Sequence, residues 1–239
     1  MFRSLLLGLA LGAGSLAHAG LLYTHDPLGP NVGVSWTSQY RPVDGGWRTY
    51  DDFSLAGNAS IQRIGWRGIY LGLDANNQST NGAPNTETWT ISLSGDNAGT
   101  PGATLYSTTV AAAQVMRTAS PDPANFGSLP VTTYDFVFDL DSAFDALAGT
   151  HYWLSVQSNV SATAWHPAFV WTQGAGGANA TSFQHGQAGD GGFNSDNVRA
   201  GNRAFSLHGD VQAVPEPASL ALVVAALGAA AAWRRRRIA

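Results

Sequence analysis

The sequence predicts an all-β fold, a two-sheet antiparallel β-sandwich of jelly-roll type over residues 20–212. A signal helix precedes it and a transmembrane helix comes after it. Three observations lead there. Short aromatic-rich runs alternate with turn residues, several runs place apolar side chains at every second position, and no interior segment shows a sustained helical period. The chain of 239 residues holds 28 Gly and 11 Pro, so turn formers are plentiful, and its 8 Trp, 7 Tyr and 10 Phe supply a core.

The candidate strands fall at 33–39, 47–55, 60–71, 86–94, 103–110, 131–140, 151–157, 168–172 and 203–211. Trp89, Ile91 and Leu93 share one face against Thr88, Thr90 and Ser92, as neighbouring residues of a strand do. Tyr134, Phe136, Phe138 and Leu140 form a second such row, and Tyr152, Leu154 and Val156 a third. Asn-Gly, Ser-Gly-Asp-Asn and Pro-Asp-Pro punctuate the runs with turn chemistry. The segment 111–117 is long enough for a helical turn, and no internal repeat is seen.

Charge narrows the function classes. All 12 basic residues are Arg, and Arg3 with Arg234–Arg237 belong to the ends. Residues 20–212 hold 7 Arg against 15 acidic residues, a net charge of −8, so nucleic acid is not an expected partner. The absence of Cys excludes disulfides and thiolate chemistry.

The ends are the most informative parts. Arg3, the apolar stretch 5–16 and Ala17-His18-Ala19 before Gly20 read as a signal peptide over residues 1–19, cut between Ala19 and Gly20 by signal peptidase. Residues 213–239 contain Val214-Pro215-Glu216-Pro217, then the uncharged run 218–233, then Arg234-Arg235-Arg236-Arg237. The prolines favour an extended, accessible segment. The 16-residue run has no polar face and reaches only about 24 Å, somewhat short of a hydrocarbon core of about 30 Å. Trp233 at an interface and snorkelling arginines make up the difference, and the arginines keep the C-terminus cytoplasmic.

This order of Val-Pro-Glu-Pro, apolar helix and Arg cluster resembles the PEP-CTERM sorting signal of Gram-negative bacteria, over residues 214–237. The resemblance implies that an exosortase, a membrane protease, recognises Pro-Glu-Pro and removes the tail. It also implies a setting of exopolysaccharide or biofilm production. Tyr50-Asp51-Asp52-Phe53, Ile64-Gly65-Trp66-Arg67-Gly68, Gly99-Thr100-Pro101-Gly102 and Tyr152-Trp153-Leu154-Ser155-Val156 look like landmarks of PEP-CTERM ectodomains. Those ectodomains are mostly uncharacterised β-sandwiches, so the likeness implies a fold and no reaction.

No catalytic constellation stands out in the interior. His25, His151, His166, His185 and His208 show no metal-ligand spacing. Asp51-Asp52 and Asp139-x-Asp141 are carboxylate pairs, but neighbours on a strand point to opposite faces, so Asp51 and Asp52 do not line one site. Asp190, Asn194 and Asp196 in a Gly-rich segment either offer calcium hard oxygen ligands or simply build a turn; 74–77 is a poorer candidate. Trp36, Trp47, Trp153 and Trp171, with Tyr40 and Trp165, either face sugar rings or fill the core, and Trp153 points away from Tyr152 and Leu154.

The expected function is therefore a non-enzymatic exported protein of the envelope or extracellular matrix. It passes through an inner-membrane intermediate with its body periplasmic, then reaches the cell surface or is secreted. Signal peptidase and exosortase are the expected partners, with exopolysaccharide a further one. No cofactor is expected, calcium being the one ion for which ligands are offered. The alternative is a carbohydrate-binding module, calcium-assisted, and the third reading is a polysaccharide-active enzyme.

Overall fold

The computed structural model describes residues 19–29, 35–73, 79–80, 87–160, 168–176, 180–190 and 192–212. The signal segment up to His18 and the whole tail from Ala213, with the two expected terminal helices, lie outside the described residues. In chain order the strands are Gly20–His25 (β1), Trp36–Thr37 (β2), Gln39–Arg41 (β3), Gly45–Ser54 (β4), Ala59–Leu73 (β5) and Ser79–Thr80 (β6). Thr88–Asp96 (β7), Pro101–Ala111 (β8), Met116–Ala119 (β9), Ala124–Phe126 (β10), Leu129–Val131 (β11) and Thr133–Ala146 (β12) come next. His151–Asn159 (β13), Ala168–Trp171 (β14), Thr181–Gln187 (β15), Phe193–Ala200 (β16) and Phe205–Val211 (β17) complete them. The segment expected to form a helical turn holds a single 3₁₀ turn at Ala112–Gln114.

These strands form the expected β-sandwich. The first sheet runs β1-β17-β5-β12-β9, with β14 on the same side of β5 as β17 and β2 beyond it. The second runs β16-β15-β4-β3-β13-β7-β8, and β4 also pairs with β13. Pairings are antiparallel except β3 with β13. The hairpin β10–β11 stands apart.

The period-2 rows explain the packing. Trp89, Ile91 and Leu93 of the second sheet are buried against Trp66 and Phe136 of the first. Trp66 and Phe136 lie parallel with centroids 5.4 Å apart, and Trp89 meets Phe169 edge-on at 4.8 Å. On the outer face of the first sheet, Arg67 opposes Asp135 and Arg63 opposes Asp139 in register; Arg67 makes a fork of 2.6 and 2.8 Å. The outer face of the second sheet departs from the expected alternation. Trp153 does point away from the core there, but Tyr50 from the neighbouring β4 and Phe183 from β15 beyond it cover it in a small separate cluster.

Candidate functional site

A cleft of about 500 Å³ opens between the sheets where β3 turns into β4. The turn is possible because of two glycines. Gly45 adopts φ +81°, and a Cβ on Gly46 would lie 1.9 Å from the Gln39 carbonyl oxygen. Arg41 and Asp44 close the turn as an ion pair, with Nε donating to Oδ1 at 2.9 Å. With the backbone folded back so tightly, half-buried Trp47 stands at the cleft wall beside Gln39, Gln187, Asn194 and Ser195.

The surrounding polar groups hold that wall in place. Arg199 lies over the Trp36 ring at 4.5 Å and over Trp47 at 5.7 Å, so one guanidinium serves two indoles. Its Nε donates to Gln184 Oε1 at 2.9 Å, and Gln184 Nε2 donates to the Thr37 carbonyl at 2.7 Å. Gln39 Oε1 accepts from the Phe169 amide at 2.7 Å, tying the cleft to the other sheet. Gln157 donates to both the Trp47 carbonyl and Gln187 Oε1. Among the described residues lining the cleft, Asp44 is the one carboxylate, and Arg41 neutralises it. A half-exposed indole among amides and hydroxyls has the chemistry to bind a neutral, hydroxyl-rich ligand.

Two of the four tryptophans predicted to bind sugar, Trp36 and Trp47, are thus brought together. The other two are not available. Trp171 is fully buried in the core, donating Nε1–H to the Ala204 carbonyl at 2.8 Å. Trp153 is 4% exposed and donates to Asp96 at 2.9 Å. Each indole has its polar edge satisfied and its faces covered, which corrects the expectation that they meet a ligand. Trp165 lies outside the described residues.

The calcium candidates are placed differently from the expected loop. Asp190 Oδ1 accepts the Gly192 amide at 2.9 Å, as a turn residue does, whereas Asn194 and Asp196 belong to β16, and Asp196 pairs with His185. Among the described residues no group of three His, Asp or Glu converges as metal ligands. Gly191 and 74–77 lie outside the described residues, as do Ala17, Val214, Pro215, Glu216, Pro217, Arg234, Arg235, Arg236 and Arg237. Ala19 is described, and Gly20 is the first residue of β1.

The adjacent carboxylates Asp51 and Asp52 separate as strand geometry requires. Asp51 is fully buried while Asp52 is partly exposed and meets His151 Nε2 at 2.6 Å. His151 Nδ1 meets Asp96 at 3.0 Å; burial opposes its charge, but the two carboxylates outweigh it and raise the pKa. Asp139 pairs with Arg63, and Asp141 accepts from Tyr106.

Sequence reasoning missed two buried clusters. Asp51 accepts from His25 Nδ1 and the Arg203 amide, each at 2.8 Å, and burial raises its pKa to about 6. Asn202 Nδ2, which can only donate, points at His25 Nε2, as does the Tyr23 hydroxyl. The imidazole proton therefore sits on Nδ1, facing Asp51, and no ring position is left for a substrate. Elsewhere Glu87 accepts from Tyr70, Ser158 and Arg117, and burial raises its pKa. Neither acid shows a local sign of burial in the sequence, since Asp51 stands between Tyr50 and Asp52 and Glu87 between Thr86 and Thr88.

None of the curated proteins and none of the solved structures matches the chain. Residues 213–237 match the family model described as the PEP-CTERM protein-sorting motif, which marks an exported protein sorted by an exosortase through a membrane-anchored intermediate.

Proposed function

We propose that the chain is a non-enzymatic β-sandwich protein of the cell envelope or extracellular matrix, delivered there by its tail and associated with exopolysaccharide or biofilm. The observation that carries this is the matched motif at residues 213–237, attached directly to a β-sandwich. Signal peptidase frees Gly20, and the exosortase acts at Pro215-Glu216-Pro217 while residues 218–233 hold the protein in the membrane. The experiment is to replace Pro215, Glu216 and Pro217 by alanine in a host with an exosortase. A full-length membrane form should accumulate; a variant shortened and released like wild type overturns the reading.

A second reading is favoured by the cleft at Trp47: a carbohydrate-binding module. The support is the pairing of Trp36 and Trp47 through Arg199, beside a cleft rich in amides. A glycan array with the secreted protein, run with calcium and with chelator, should give hits that Trp47→Ala abolishes. Hits that survive Trp47→Ala place binding elsewhere, and calcium-independent hits remove the metal from the account.

A further inference from the structure

The two ends of the sandwich domain leave it at one pole. β1 runs antiparallel to β17 with Gly20 opposite Gly209, so Ala19 leads out where β17 ends. At that end Val211 and Ala146 flank Ala59 on either side of β5, and the turn after β12 brings Leu147 alongside. Asn58 fastens this pole, its carbonyl accepting from Gln212 N and its Oδ1 from Ala148 N, each at 2.8 Å. Gln212 Nε2 also reaches Asp145 Oδ1 at 3.1 Å. The last described residue is therefore fixed to the body.

The stretch between Gln212 and the apolar run is short. Five residues, 213–217, separate it from Ala218, where that run starts. Even fully extended, the six steps from Gln212 to Ala218 reach no more than about 22 Å. A headgroup layer takes up about 6 Å of that reach. The body is longer than the remaining tether: β4 alone, 10 residues, spans about 33 Å. Its far end carries Val43, while its near end lies at the pole, where the Gly149 amide meets the Leu55 carbonyl at 2.8 Å. Inversion of the domain on so short a tether is sterically barred.

The pole also has the surface for such a contact. Leu147 is 58% exposed and Val211 68% exposed, two large apolar side chains set either side of the tethered residue. The nearby acids are occupied, Asp145 by Gln212 and Asp210 by Gln62 Nε2 at 2.9 Å. That charge favours a zwitterionic over an anionic lipid surface.

We propose that the pole formed by the end of β17 and the turn after β12 is a membrane-facing surface. Leu147 and Val211 meet the lipid interface while the tail is anchored. The inference rests on residues 218–233 acting as the membrane segment, and it adds an orientation: the sandwich stands base-down with the Trp47 cleft and Val43 directed outward.

The absence of native cysteine permits a clean test. The chain from Gly20 onward, as signal peptidase would leave it, is reconstituted in phosphatidylcholine vesicles containing doxyl-labelled lipid. An environment-sensitive probe is placed on Leu147→Cys or on Val43→Cys, both at exposed positions. Quenching and a blue shift are expected at 147, with neither at 43. Vesicles that float with bound protein but quench both probes alike, or neither, overturn the orientation while leaving the anchor intact. Failure of the protein to float overturns the anchoring and the proposal with it.

Discussion

Nδ1 of His25 stands 2.8 Å from Oδ2 of Asp51, bonding an edge strand of one sheet to a fully buried carboxylate of the other. The Arg203 amide supplies a second bond, yet Asp51 Oδ1 has no partner among the described residues. Burial therefore outweighs the donors, and the carboxyl holds its proton up to about pH 6 against an ordinary 3.8.

The pH dependence has a definite sign. The folded pKa is raised, so between 3.8 and about 6 the native state binds more protons than the unfolded chain. The contribution is fully present below 3.8 and is lost as pH rises through about 6. Its size is on the order of 3 kcal/mol. Asp51→Asn should flatten this part of the stability curve, measured by urea unfolding across that window. Parallel curves for variant and wild type would show that Asp51 does not titrate there.

The tryptophans separate by burial. Trp171→Ala empties a fully buried site among Phe205 and its neighbours and should lower stability by about 3–5 kcal/mol. Trp36→Ala removes a half-exposed ring held by Arg199 and should cost less than about 1 kcal/mol. Urea unfolding of both variants checks the ranking, and equal losses would mean that the Trp36 ring is part of the structural core.

Gly46→Ala should be among the most harmful single-methyl additions. The new Cβ would lie 1.9 Å from the Gln39 carbonyl oxygen, a backbone atom that cannot rotate aside. Strands β3 and β4 would have to part, at a loss of at least about 3 kcal/mol. Unchanged stability would mean the β3–β4 pairing in solution differs from the one described.

The sandwich was legible because its core strands obey the period-2 rule with apolar residues, as Trp89, Ile91 and Leu93 do. Strand β15 was not, because its buried positions Ser182 and Gln184 are polar; Gln184 is satisfied by the Thr37 carbonyl and by Arg199. Strand β16 is an exposed edge whose Asn and Asp residues carry turn chemistry, so its sequence reads as a calcium loop. For Trp153 the face was readable but the exposure was not, since Phe183 reaches it from a distant part of the chain. Arg199 joins Trp36 to Trp47 beside the cleft, a partner that no local spacing announces.

Arg117 and Glu87 give a sharper electrostatic test. Glu87 is buried, and it accepts from the Tyr70 hydroxyl at 2.7 Å, Ser158 Oγ at 2.9 Å and Arg117 Nη1 at 3.2 Å. Burial raises its pKa first, and the three donors pull it back only in part, so its ionised form is a liability the folded state tolerates. Arg117 is the one cation among those donors. Removing it as Arg117→Ala should raise the Glu87 pKa further and destabilise the domain at neutral pH by about 1 kcal/mol, since the partly exposed guanidinium is screened by solvent. The sign comes from the raised folded pKa: as pH falls, Glu87 takes up its proton in the fold before it would at the ordinary 4.5, and the penalty shrinks. The residue of the effect at low pH is the lost stacking of Arg117 over Tyr134, at 5.7 Å, which does not titrate. In a Glu87→Gln background the Arg117→Ala penalty should therefore be the same at every pH. Urea unfolding of the four variants at neutral and acid pH measures both effects. A penalty that ignores pH with Glu87 present would mean that Arg117 acts by packing alone and that Glu87 is already protonated at neutral pH.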